Sequence, residues 1–216
     1  MLKAVVFDLD GTLLDTKPFI VASYKHVCES FGIKVITEQM IQELGGAGLH
    51  DTYKHFHPNI DVEKLTNAHL EFQGNSLSLI KPFSDTITTL DRIVALGLKN
   101  AIVTARHNNA HILLETSGIS RYFSTVVTCD DITDLKPHPE GLLLALERLA
   151  VEPSEAIYIG DMKADIEMGK NAGVFTIGVA CGFSTVNELD SFRPDFIVDP
   201  LSSALSVIDG LLSKPG

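Results

Sequence analysis

Six short runs of apolar, largely β-branched residues punctuate the chain: AVVFDLD (4–10), NAIVTA (100–105), STVVTC (124–129), AIYIGD (156–161), VFTIGV (174–179) and DFIVD (195–199). Runs of this length, bounded by polar residues or glycine, predict buried strands. Between the later runs the apolar positions recur with helical spacing and stop at recognisable signals. SDTITTLDRIVALG opens at a Ser84 cap and closes at Gly97, and HNNAHILLETSG closes at Gly118. PEGLLLALERLA opens with Pro139 and KADIEMGKNAG closes at Gly173. Strands alternating with helices of this size predict an α/β fold, a Rossmann-like parallel sheet with helices on both faces.

Residues 17–80 break the alternation. The stretches PFIVASYKHVCESFG, TEQMIQELG and DVEKLTNAHLEFQGNSLSLI, the last begun by Asp61, read as helices and contain no convincing strand. An all-helical segment placed after the first strand predicts an inserted cap domain over 17–80. The Rossmann-like core domain is then built from 1–16 and 81–216.

Composition narrows the function classes. At 216 residues, 45% hydrophobic and 21% charged, the chain has ample material for a core. Its net charge of -11 disfavours nucleic acid or an anionic membrane as partner. No apolar run approaches the ~18–20 residues of a membrane span, and MLKAVVFD meets a carboxylate too early for a signal peptide. Three scattered cysteines, Cys28, Cys129 and Cys181, fit a reducing, cytoplasmic setting better than a disulfide framework or zinc cluster. The expected assembly is a monomer or homodimer.

The candidate chemistry lies where strands end. The first run closes on Asp8 and Asp10, which a continued strand would place on one face, about 6–7 Å apart. A plain solvated turn at Gly11 explains that stretch equally well on its own. The other strand ends carry Thr104, the Asp130/Asp131 pair and Gly160-Asp161, and Lys136-Pro137 follows on the same rim. Ligands in open α/β sheets bind beyond the carboxyl ends of the strands. Asp161 and Asp165 in GDMKAD share one helical face at i, i+4, although Asp161 could equally be a simple helix cap. Three or four carboxylates crowded together repel without a cation, and with Mg²⁺ they form a hard-oxygen site. A lysine at position 136 could neutralise both a phosphoryl oxygen and a carboxylate. Thr104, before a helix N-terminus, suits phosphate. The cap histidines His50, His55, His57 and His69 match no zinc signature and read as surface or packing residues. An EF-hand reading of DLDGT fails because Leu13 and Phe19 stand where such a loop needs Gly and Glu.

With these motifs in order, DLDGT, then Thr104 in IVTAR, Lys136 in LKPHPE and finally GDMKAD, the chain resembles the haloacid dehalogenase superfamily of phosphatases. The similarity spans nearly the whole chain and points to the branch with a helical cap after the first strand. VVTCDDITDLKPHPE and YIGDMKADIEMGKNAGV look most like phosphoglycolate phosphatases and the related bacterial inorganic pyrophosphatases. The resemblance implies a nucleophile at Asp8, an acid/base at Asp10, and phosphate ligands at Thr104 and Lys136. It implies one Mg²⁺ held by Asp8, the Asp10 backbone carbonyl and Asp161, with Asp165 orienting a water. The implied substrate is a small anionic phosphorylated metabolite, met also by Ala105 and Arg106.

Three departures stand out. Ala105 replaces the Asn that often follows Thr104, Met162 replaces a hydroxyl residue after Gly-Asp, and Leu49 stands where sugar-phosphate mutases tend to carry arginine. Gly45, Gly46 and Gly48 of ELGGAGLHD are expected to let backbone approach a ligand. The alternatives are a pyrophosphatase, a β-phosphoglucomutase-type mutase and a catalytically silent binding protein. The intact set Asp8, Asp10, Thr104, Lys136 and Asp161 argues against the last.

Overall fold

The computed structural model describes residues 1–44, 47–74, 77, 80–107 and 109–213. Its strands are β1 (Ala4–Phe7), β2 (Leu14–Asp15), β3 (Lys81–Pro82), β4 (Lys99–Val103), β5 (Thr125–Val127), β6 (Ala156–Gly160), β7 (Phe175–Val179) and β8 (Phe196–Val198). Six of them form one sheet in the order β5-β4-β1-β6-β7-β8. Every pairing in it is parallel, with Phe7 opposite Ile102 on one side and Ile159 on the other. The chain lays strands to one side of β1 and then returns to lay the rest on the other. That reversal opens a crevice at the carboxyl end of β1.

Alternation along β1 explains why both faces must be covered. Val5 and Phe7 pack with Ile102 against helices α5 (Thr86–Ala95), α6 (Asn109–Thr116) and α10 (Ala204–Leu212). Ala4 and Val6 face the other way, with Val103 and Tyr158, against α7 (Glu140–Leu149) and α8 (Lys163–Asn171). Gly97, Gly118 and Gly173, expected to close helices, adopt φ of 77°, 71° and 70°. Such left-handed backbone strains any residue with a Cβ. The start of α5 differs by one residue from expectation. Asp85, not Ser84, is its cap residue, and its carboxylate accepts instead from the Ser202 N–H (2.7 Å).

Between β2 and β3 lie helices α1 (Lys17–Ser30), α2 (Glu38–Glu43), α3 (Leu49–Phe56) and α4 (Val62–Gly74). Two start as their sequences require. The Thr37 hydroxyl accepts from the Met40 N–H (3.4 Å), and Asp61 accepts from the Lys64 N–H (3.2 Å). Helix α3 and the antiparallel β2–β3 pair had no clear pattern in the sequence. The pair sets Leu14 against Pro82 and Asp15 against Lys81, so the segment leaves and rejoins the sheet domain at one point. Its helices share a core of Tyr24, Val27, Cys28, Ile36, Tyr53 and Leu65, which Met162 and Phe183 join from below. No helix among the described residues is long and apolar enough to cross a membrane.

Ile102, on β4 between β5 and β1, is fully buried. Ile102→Ala is expected to cost about 2–5 kcal/mol through lost burial and an unfilled cavity. Urea unfolding checks this, and a loss below about 1 kcal/mol would show a core able to collapse around the gap.

Candidate active site

Strand β1 stops at Phe7, three residues short of the expected Asp10. The Asp8 N–H still donates to Ile159 O (2.8 Å), so Asp8 is held at the sheet's edge. The two carboxylates line one cavity but reach different cations.

Asp8 meets Lys136, whose Nζ donates to Asp8 Oδ1 (2.5 Å) and to Asp165 Oδ1 (2.8 Å). The lysine is nearly enclosed, with 7% of its side chain exposed. Asp165 also accepts from the Tyr158 hydroxyl (3.0 Å) and the Met162 N–H (3.0 Å), so it anchors both Lys136 and the turn into α8. A Cβ at Gly160 would overlap the Asp165 side chain. Glycine there is what allows Asp165 to fold back under the sheet edge.

Asp161 is wholly buried. Its Oδ1 accepts from Thr12 Oγ1 (3.2 Å) and its Oδ2 from the Phe183 N–H (2.7 Å). Side chains at Gly11 or Gly182 would collide with it, and Gly11 has φ of 78°. Oxygens of Asp8, Asp161 and Asp165 lie within 4.8 Å of one another. Burial raises the Asp8 carboxyl to about 7, with Asp165 and Asp10 adding like charge against the pull of Lys136. Burial, Asp165 and Asp8 likewise push Asp161 well above the carboxylate range. Burial opposes the charge on Lys136, but the two carboxylates outweigh it and raise its pKa. Three buried carboxylates and one lysine leave uncompensated negative charge, so this donor set fits a hard divalent cation.

The second carboxylate, Asp10, is gripped by Arg106. The guanidinium donates through Nε to Oδ2 (2.6 Å) and through Nη2 to Oδ1 (2.7 Å), a bidentate fork. Arg106 is itself buried, on the loop after β4 that also carries Thr104 and Ala105. Its backbone N–H donates to Thr104 Oγ1 (3.2 Å) and its carbonyl accepts from the Cys129 N–H (3.0 Å). Asp10, Thr104, Ala105, Arg106 and Lys136 line a cavity of about 160 Å³ between the sheet edge and the helical segment.

Other expected rim groups do not join it. Asp130 pairs with His107 (2.7 Å) and Asp131 with Arg148 (2.9 Å), and neither lines the cavity. Gly45 and Gly46 lie outside the described residues, while Gly48 and Leu49 do line it. Met162, in place of a hydroxyl residue, is buried and packs between sheet domain and helices. Tyr24, Gln73 and Phe183, which carry no functional signal in the sequence, also line the cavity, as does His69, expected to be a surface or packing residue. His69 and Gln73, four apart on α4, formed a polar pair on a helical face, but nothing in the sequence said that this face turned inward.

The family model described as haloacid dehalogenase-like hydrolase matches residues 5–179. The chain is 31% identical over 212 residues to the pyrophosphatase PpaX of Oceanobacillus iheyensis, covering 96% of this chain and 97% of that one. It is 33% identical over 205 residues to PpaX of Bacillus velezensis, with 94% and 95% covered. A solved structure described as a haloacid dehalogenase-like hydrolase, from Bacteroides fragilis, superposes with a TM-score of 0.87 at 28% identity, covering 94% and 100%.

The raised Asp8 carboxyl carries a sign. Its proton is held more tightly in the folded than the unfolded state, so its stabilising contribution is full at low pH and fades as pH rises through about 7. The metal-free protein is expected to lose thermal stability between pH 5 and pH 8. Mg²⁺ is expected to raise Tm strongly at pH 8 and little at pH 5, because cation and proton compete for the same oxygens. Equal Mg²⁺ shifts at both pH values in differential scanning calorimetry would remove Asp8 from the metal site.

Proposed function

Since the chain belongs to the haloacid dehalogenase-like hydrolases, we propose that it is a Mg²⁺-dependent phosphatase whose substrate joins the transferred phosphoryl group to a second anionic group. Pyrophosphate and phosphoglycolate are the forms such a substrate takes, and the relatives' name favours pyrophosphate. Residues 17–80 act as the cap over a core of 1–16 and 81–216.

The observation that carries this reading is Asp8 at the cavity floor with Lys136 Nζ 2.5 Å from its oxygen. Asp8 attacks phosphorus in line. As the new oxygen–phosphorus bond forms, the bond to the leaving oxygen breaks and Asp10 gives that oxygen a proton. Water then attacks the aspartyl-phosphate, Asp10 takes a proton from it, and phosphate leaves with Asp8 restored. Thr104 and Lys136 hold the phosphoryl oxygens, and Lys136 keeps its charge because two carboxylates face it. Asp8, Asp161 and the Asp10 backbone carbonyl hold Mg²⁺, which when bound neutralises charge on the phosphoryl oxygens.

Size and lining support a compact substrate. A cavity of about 160 Å³ is small beside the ~300–1,000 Å³ of common ligand clefts. Leu49 adds an apolar wall there and offers no charge for the distal phosphate of a phosphosugar.

Asp8→Asn is expected to abolish phosphate release while leaving Tm within a few degrees, since volume is kept and only the nucleophile's charge is lost. Release above about 1% of the wild-type rate would exclude a covalent Asp8 intermediate. In the same assay Asp161→Ala is expected to raise the Mg²⁺ concentration for half-maximal rate about tenfold or more. A panel of pyrophosphate, phosphoglycolate and hexose phosphates ranks the substrates. Isomerisation of a hexose phosphate without phosphate release would replace the hydrolase reading with a mutase.

A further inference from the structure

Resting on that reading, we infer that Arg106 is a latch shared between the acid/base carboxylate and the substrate. It holds Asp10 out of the reaction until the second anionic group of the substrate takes its guanidinium, and Gln73 and His69 of the helical segment set its aim.

The geometry begins with occupancy. Both oxygens of Asp10 are engaged by the Arg106 fork, at 2.6 and 2.7 Å, so a leaving oxygen beyond Asp8 must compete with the guanidinium for them. A planar fork matched to a carboxylate is equally matched to a phosphoryl group or a substrate carboxylate. Arg106 and Asp10 both line the cavity, so such a group entering it competes for the same donors. Substrates lacking one leave the latch closed.

The third donor explains how the helical segment takes part. Nη1 of Arg106 donates to Gln73 Oε1 (3.4 Å), and Gln73 Nε2 stands 3.0 Å from His69 Nε2. His69 Nδ1 stands 2.9 Å from the Tyr53 hydroxyl. Only one assignment satisfies this row. The Gln73 oxygen must accept from the guanidinium, so its NH₂ donates to His69 Nε2, and His69 carries its proton on Nδ1 and donates to Tyr53. A second proton on the ring would turn the Gln73 amide over and set NH₂ against the arginine. Burial and the neighbouring Arg106 hold His69 neutral, with its pKa lowered to about 3. Tyr24 packs edge-on to the ring at 4.6 Å and fixes its plane. His69 and Gln73 are positioning residues, because they act on the guanidinium and not on the substrate.

The test compares kcat/KM for pyrophosphate with that for ethyl phosphate, which has a poor leaving group and no second anion. For Arg106→Ala in the Mg²⁺-loaded protein the two are expected to move in opposite directions. The value for pyrophosphate falls about tenfold or more, mainly through KM, as the distal anion loses its partner. The value for ethyl phosphate rises about threefold or more, because Asp10 is released to protonate the leaving oxygen. Arg106→Lys keeps the charge but cannot fork both oxygens, and covers the case in which removing a buried cation unfolds the chain. It is expected to show the same opposed pattern with smaller amplitudes. Gln73→Leu is expected to raise KM for pyrophosphate severalfold with kcat held within about twofold. Parallel losses on both substrates, or an unchanged value for ethyl phosphate, in a variant whose Tm shows it folded would overturn the latch. Wild-type protein that hydrolyses ethyl phosphate but neither pyrophosphate nor phosphoglycolate would overturn the substrate reading, and the response of ethyl phosphate to Arg106→Ala would still decide whether Asp10 is restrained.

Discussion

Three carboxylates buried around a single lysine set the terms for the rest of this protein. Taking Asp8, Asp161 and Asp165 out of water is unfavourable, and their mutual repulsion in a poorly screened site adds to that cost. Lys136 bridges two of them and sits over the Tyr158 ring at 5.5 Å, which gives its charge a further favourable contact. Asp161 draws instead on the Thr12 hydroxyl and the Phe183 N–H. The deficit that remains is a standing preference for a cation, built into the fold before any ligand arrives. The glycines follow from the same crowding, because Gly11, Gly160 and Gly182 lie where a methyl group would displace a carboxylate.

The sheet supplies the rigidity that such crowding demands. β1, β4 and β6 are neighbours, so the loops carrying Asp8, Thr104–Arg106 and Asp161 leave the sheet side by side. Apolar layers on both faces hold those strands, and dense packing keeps opposed charges from drifting apart. Small errors matter at hydrogen-bond distances, which is why reactive groups are better carried on the ends of a packed sheet than on a free loop.

The helical segment contributes a different kind of control. It adds an apolar wall through Ile20, Tyr24, Ile41 and Leu49, and one polar line through Tyr53, His69 and Gln73 that ends on Arg106. Met162 and Phe183 extend the segment's core into the sheet domain beside Asp161. The packing of the helices and the placement of the acidic groups therefore share residues. A change in one is felt by the other through contact, with no long path between them.

Much of this was legible in the chain itself. The six apolar runs, the helix-ending glycines and the helical stretch after the first strand follow from periodicity and backbone freedom, which are local properties. The residues Asp8, Thr104 and Asp161 stood out because each is a polar group at the end of an apolar run, a local contradiction that hydrophobic burial alone does not explain, and Lys136 because it follows on the same rim. Which cation each carboxylate meets was not local. Arg106 stood out only as a cation beside Thr104 that could face a substrate, and it is the fold that brings it across 96 positions to fork Asp10. Asp130 and Asp131 carried the same signal as the true rim residues, yet they turn outward to His107 and Arg148. His69 and Gln73 gave only a helical spacing, and the face they share became part of the cavity when α4 packed over the sheet edge. Periodicity determines which residues are buried and in what element. Only tertiary packing decides which buried charges become neighbours, because that depends on distances between segments that no local pattern encodes.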